Sequence, residues 1–194
     1  MQFDAFTGGV EPGGLRSQSD IRLLICYMLA SVQEPLSKED IVMVLQDNGL
    51  ANYFEAASAL SDLLSKKNCD VLPENPNLCI ANNTTLDISR ELDSTLPPSV
   101  RERAVNGALN LLARAKRERE NKVSIDKHGN GYHVTCHISG GKGDLMTITL
   151  YAPDLYQARV IKKNFHRNPE AVYQALMSLM TGNKDYLETV VREL

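Results

Sequence analysis

His133 and His137 stand four residues apart in "YHVTCHIS", a spacing that invites metal ligation or acid–base chemistry. The stretch alternates apolar and polar residues and reads as a strand, on which residues four apart lie about 13 Å from each other. That is too far for both rings to share one zinc ion. The four cysteines, Cys26, Cys69, Cys79 and Cys136, form no Cys-x-x-Cys pair, and no Cys/His spacing fits a zinc motif. No metal or other cofactor is expected. A nucleophile needs a base beside it and a group to orient that base. No local pattern marks such a set, Ser139 before two glycines is a turn residue first, and the chain is not expected to be an enzyme. His133, Thr135 and His137, with Thr147, Thr149 and Asp126 near them, remain candidates for a ligand or interface surface. Plain solvent exposure of a polar sheet face is the simpler alternative.

Two glycine clusters raise the question of phosphate binding. "TGGVEPGGL" (residues 7–15) has no strand before it, no lysine after its glycines, and a glutamate, Glu11, that repels phosphate. A phosphate loop needs a strand, a glycine turn and Gly-Lys-Ser/Thr at a helix start. The stretch therefore reads as an N-terminal arm (residues 1–17), with Phe3, Phe6, Val10 and Leu15 free to dock on the protein or on a second subunit. "GGKGDL" (residues 140–145) does carry a lysine, but it joins two antiparallel strands and reads as a hairpin turn.

The chain has 194 residues, 43 % of them hydrophobic and 23 % charged, which places it among globular proteins. No apolar run approaches the roughly 20 residues of a membrane helix. No secretion signal is visible, so a cytoplasmic location with reduced thiols is expected. The net charge of −3 conceals an asymmetry. Residues 1–97 hold six Lys/Arg against fourteen Asp/Glu, and residues 98–194 hold fifteen against ten. Two units with different surfaces are expected, meeting near Pro97-Pro98, and the opposite charges can attract within a chain or across a homodimer.

Elements follow from apolar spacing. Ile21, Leu24, Ile25, Met28, Leu29 and Val32 predict a helix over 20–33, capped by Ser19 and ended by Pro35. Ser37 opens a second helix, with Asp40 completing an imperfect capping box, and Gly49 stops it. Asn52 with Glu55 opens a third, with Phe54, Ala57, Leu60 and Leu64 inward. "CDVL" and "LCIA", joined by "PENPN", predict a hairpin. Three helices and a hairpin in this order are the arrangement of a winged helix-turn-helix, placed over residues 18–97.

In that arrangement the third helix enters the major groove. Here it offers Asn52, Tyr53, Ser58, Lys66 and Lys67 as candidate contacts to double-stranded DNA. Glu55 and Asp62 balance the two lysines. Affinity for DNA comes mainly from Lys/Arg against phosphate, so the charge opposes what the topology suggests.

A short helix is predicted in "TTLDISREL" before the seam, and the second half (98–194) then opens with a long helix from "PPSVRERA" to Glu120. Leu111, Leu112 and Ala115 give the long helix an apolar side, and Arg114–Glu118 and Lys116–Glu120 can pair at its basic end. Three alternating strands follow, "KVSIDK", "YHVTCHIS" and "LMTITLY", as an antiparallel meander. Its apolar face (Val123, Ile125, Val134, Cys136, Ile138, Met146, Ile148, Leu150) must be covered. Two helices are expected to do this, one from Pro153 with Leu155, Ala158, Ile161 and Phe165 inward. The other starts at Asn168-Pro169 with Val172, Leu176, Leu179 and Met180 inward. A final helix carries Leu187, Val190, Val191 and Leu194.

The runs "FDAFTGGVEPGGL", "DIRLLICYML" and "GLANYFEAASALSDLL", with "LPPSVRERA" further on, resemble the bacterial domain-of-unknown-function family 4364 over nearly the whole chain. The resemblance implies an α+β chain with an N-terminal winged helix and the label of transcriptional regulator, without an activity or a catalytic residue. The expected protein is thus a cytoplasmic, homodimeric winged-helix regulator that binds DNA. Its second domain would serve dimerisation or sensing of a small-molecule effector of unknown identity. The alternative is a winged helix used as a protein–protein interaction module.

Overall fold

A computed structural model describes residues 14–15, 17–92, 95–140 and 143–192. Phe3, Phe6 and Val10 of the arm, and Leu194, lie outside the described residues. The chain is mixed α+β and divides into two compact units, Met1–Leu112 and Ala113–Leu194.

The first unit runs α1 (Gln18–Val32), β1 (Leu36–Ser37), α2 (Lys38–Asp47), α3 (Tyr53–Ser65), β2 (Asp70–Leu72), β3 (Asn75–Ile80) and α4 (Asn83–Leu92). It ends in most of α5 (Pro98–Glu120), within which the division of the units falls. β1, β3 and β2 form an antiparallel sheet in that spatial order. The two-residue β1, with Leu36 opposite Cys79, is too short for any sequence period to reveal.

Local chemistry sets the helix starts. Ser37 and Asn52 accept the amides of Asp40 and Glu55 at 3.0 and 2.9 Å, as expected of capping residues. The cap of α1 is Ser17, not Ser19: the Ser19 amide is itself the donor to the Ser17 hydroxyl. α1 is the central element, with Ile21, Leu24, Ile25, Cys26 and Met28 fully buried, and Ile41, Leu45 and Leu63 pack into the same core. Leu15 belongs to this core as well, and its amide donates to the Leu50 carbonyl at 2.8 Å.

The third helix is rotated from its predicted phase. Ala56, Ala59, Leu60 and Leu63 are its buried line, while Phe54 is 76 % exposed and Ala57 and Leu64 are only half-buried. Both lines have helical spacing, and the small alanines let α3 approach α1 closely, which the bulkier Phe54 would prevent. The hairpin also differs: β3 starts inside "PENPN", leaving only Pro73-Glu74 as its turn. On α5 the buried residues are Val100, Ala104 and Ala108; Leu111 and Leu112 are half-buried and Ala115 is exposed.

The second unit contains β4 (Val123–His128), β5 (Gly131–Ser139), β6 (Asp144–Ala152), α6 (Leu155–Arg167), α7 (Pro169–Thr181) and α8 (Lys184–Arg192). The strands form the expected meander in the order β4-β5-β6. Gly129, at φ +58°, supplies the positive φ needed at the first central position of the tight β4–β5 turn. Val134, Cys136 and Ile138 of the middle strand are buried with Ala158 and Phe165 of α6. The edges are more open: Leu150 and Leu155 are exposed, contrary to expectation.

α7 starts at Asn168-Pro169 as predicted, with Asn168 accepting the Ala171 amide at 3.1 Å. Its inward line is Pro169, Ala171 and Ser178, whose hydroxyl is satisfied by the Gln174 carbonyl at 2.7 Å. Leu179 (63 %) and Met180 (79 %) therefore face outward, as does Val191 of α8, while Val190 is buried. Among the described residues no helix is long and apolar enough to cross a membrane.

All four cysteines are buried free thiols. Burial pushes Cys26 up to about 11 and Cys69 up to about 12, the latter helped by the nearby Cys79 and Cys26.

Candidate functional site

The predicted contacts of α3 separate into two kinds. Asn52 is only 8 % exposed, and its side-chain oxygen is held by the Glu55 amide as the helix cap. Tyr53, Ser58, Lys66 and Lys67 are exposed, with Tyr53 edge-on to Phe54 at 5.6 Å between ring centres. Asp62, which in the sequence offsets one of the lysines, is instead 2.8 Å from the Arg22 guanidinium of α1. The pair is partly exposed, and Glu55 at the opposite end of α3 is half-buried. Lys66 and Lys67 are exposed at the C-terminal end of α3, with exposed Asp70 three residues further on. Beside it, α2 and α3 enclose an apolar hollow of about 550 Å³, lined by Val42, Met43, Tyr53, Leu60 and Leu64 among others.

The polar face of the meander brings its predicted members together. Thr135 and Thr149 hydroxyls are 3.0 Å apart on adjacent strands. His137 Nδ1 lies 3.1 Å from Asp144 Oδ2 and 3.0 Å from Thr147 Oγ1. In a nucleophile–base–acid relay, the acid and the nucleophile sit on opposite ring nitrogens. Here both meet Nδ1, so this cluster orients the ring without preparing a nucleophile. His133 stacks on His128 at 3.9 Å and meets Tyr151 edge-on at 6.2 Å. Asp126 is opposite His133 in register, but its carboxylate accepts from Ser124 at 2.8 Å. Among the described residues no group of three or more His, Cys, Asp or Glu could hold a metal ion.

A third region is absent from the sequence expectations. The last turns of α5 (Arg114, Arg117, Glu118) and one side of α6 (Arg159, Lys162, Lys163, His166, Arg167) line a common groove of about 470 Å³. The α6 residues recur at i, i+3, i+4, i+7 and i+8, the period of one helix face. That cationic periodicity was the available signal. The predicted pairs Arg114–Glu118 and Lys116–Glu120 both form, at 2.9 and 4.0 Å. Arg114 accounts for the lowered pKa of Glu118, with smaller contributions from His166 and Lys162.

Two mixed α+β units, one helical around a small sheet and one built on a meander, define the class of the chain. It belongs to the family described as a domain of unknown function (DUF4364), whose model matches residues 21–180. No curated protein and no solved structure matches the chain.

Proposed function

We propose that the chain is a cytoplasmic transcriptional regulator whose first unit is a winged helix that contacts double-stranded DNA through α3. The observation that carries this reading is topological. The order α1-β1-α2-α3-β2-β3, with β1-β3-β2 in the sheet, is the order of elements in a winged helix-turn-helix, with the β2–β3 hairpin where a wing would stand. The Arg22–Asp62 pair adds support, because it partly offsets a carboxylate of α3. Tyr53, Ser58, Lys66 and Lys67 are the proposed contacts, and Asn52 positions the helix. The outward Leu179 and Met180 support a homodimer through the second unit.

Fluorescence anisotropy with labelled 25-base-pair duplexes, in low and in moderate salt, tests the reading. Salt-dependent micromolar binding is expected, weakened by Lys66→Glu. No salt-dependent binding in the micromolar range would sink it.

A second reading, a winged helix used for protein–protein interaction, is favoured by one observation. Phe54 is a large apolar side chain left on the surface of α3. It predicts that Phe54→Ser and Glu55→Lys disrupt an assembly while leaving duplex binding unchanged.

A further inference from the structure

We propose that the second unit binds a small polyphosphate-bearing molecule, of nucleotide size, in the groove between the end of α5 and α6. The assignment does not depend on what α3 contacts.

The groove is lined by six Arg/Lys side chains, one histidine and one carboxylate. The carboxylate, Glu118, is held by Arg114 at 2.9 Å. Among the described residues Arg117, Arg159, Lys163 and Arg167 form no ion pair with a carboxylate, and Lys162 shares Glu118 with Arg114. Six cations against one carboxylate leave a large positive excess around one hollow, and a bound polyanion offsets that excess. Four of the groove's cations are arginines, whose planar forks suit bidentate contact with phosphate oxygens; Lys162 and Lys163 add point charges.

Shape decides between a small ligand and a nucleic-acid backbone. A duplex is tracked by cations spread along a surface, whereas these converge from two helices on one concavity. Its volume of about 470 Å³ falls in the range of small-molecule sites, about 300–1,000 Å³. The wall is also fixed in place. His166 is buried between the helices, and its Nε2–H donates to the Asn121 carbonyl at 2.9 Å. The next residue inward, Phe165, is part of the unit's core.

Isothermal titration of the full chain in phosphate-free buffer would use three probes: sodium tripolyphosphate, magnesium-free ATP and a 20-base-pair duplex. Saturable one-site binding of tripolyphosphate or ATP in the micromolar range is expected. It should weaken at least tenfold in Arg159→Ala/Lys162→Ala, whose replaced side chains are exposed, and stay unchanged in Lys66→Glu. Equal affinity for the first two probes identifies the polyphosphate chain as the recognised group; tighter ATP binding identifies a nucleotide. The proposal is overturned if neither probe saturates by millimolar concentration, or if binding survives the double substitution. It also fails if the duplex binds the groove more tightly than either small probe.

Discussion

The Nε2–H of His166 donates to the backbone carbonyl of Asn121, 2.9 Å away, and joins α6 to the turn that follows α5. The bond also fixes the tautomer of a buried histidine, since a carbonyl can only accept. His166→Ala leaves that carbonyl unpartnered beside a small cavity. A loss of about 1–3 kcal/mol of stability is expected in urea unfolding. His166→Gln, which can donate to the same carbonyl, should recover part of it. Equal losses in both variants would show that packing, not the hydrogen bond, holds the two elements.

Asn52 is a helix cap in the structure and not a free side chain. Asn52→Ala should cost about 1 kcal/mol, and Asn52→Asp or Asn52→Ser should cost little, because each still offers an oxygen to the Glu55 amide. Thermal denaturation of the three variants measures this. If Asn52→Asp is as damaging as Asn52→Ala, the cap is not the reason for the residue.

The phase of α3 can be read from two substitutions. Leu63→Ala removes a fully buried side chain and should destabilise by about 2–5 kcal/mol. Phe54→Ala trims an exposed one and should shift stability by no more than about 0.5 kcal/mol. Reversal of that order in denaturant titrations would return the helix to its other face.

The thiols predict the alkaline limit of stability. In the unfolded chain they ionise near 9.0, while in the fold Cys26 and Cys69 hold their protons up to about 11 and about 12. Above pH 9 the unfolded state binds fewer protons than the folded one, so stability falls as pH rises. The contribution is intact below pH 9 and is lost progressively up to about pH 11–12. Melting temperatures under reducing conditions should drop from pH 8.5 to 10.5, and the slope should be shallower in Cys69→Ala. An unchanged slope would assign the alkaline loss to other groups.

What the sequence made legible was local chemistry. Ser37, Asn52 and Asn168 could be assigned as caps because an oxygen three residues before an amide is a short-range pattern. The meander was equally plain, since alternation over "YHVTCHIS" has one interpretation. Choosing between two possible faces was harder. On α3, the line through Phe54 and the line through Ala56 both have helical period, and only the closeness of α1 decides between them. On α7, Leu179 and Met180 look like core, yet the smaller Ala171 and Ser178 turn inward. The basic groove was missed for a different reason. Its walls lie far apart in the chain, as the 45 residues between Asn121 and His166 illustrate, and only folding sets them side by side. Read separately, the end of α5 was a solvated helix end and α6 was a cover for the sheet.

The tight corner between β4 and β5 gives the second unit a safeguard against misfolding. A Cβ on Gly131 would lie 2.6 Å from the Ala152 carbonyl oxygen and from Tyr151 Cζ, and 2.5 Å from the Tyr151 hydroxyl. Only the one residue without a Cβ fits opposite the end of β6. A slip of one place in β5 would force a side chain into that space. It would also turn His133, Thr135 and His137 toward Phe165 and expel Val134, Cys136 and Ile138. Two unrelated penalties, one steric and one of solvation, thus report the same fault. The corner fixes the register of the hairpin on which the covering helices pack.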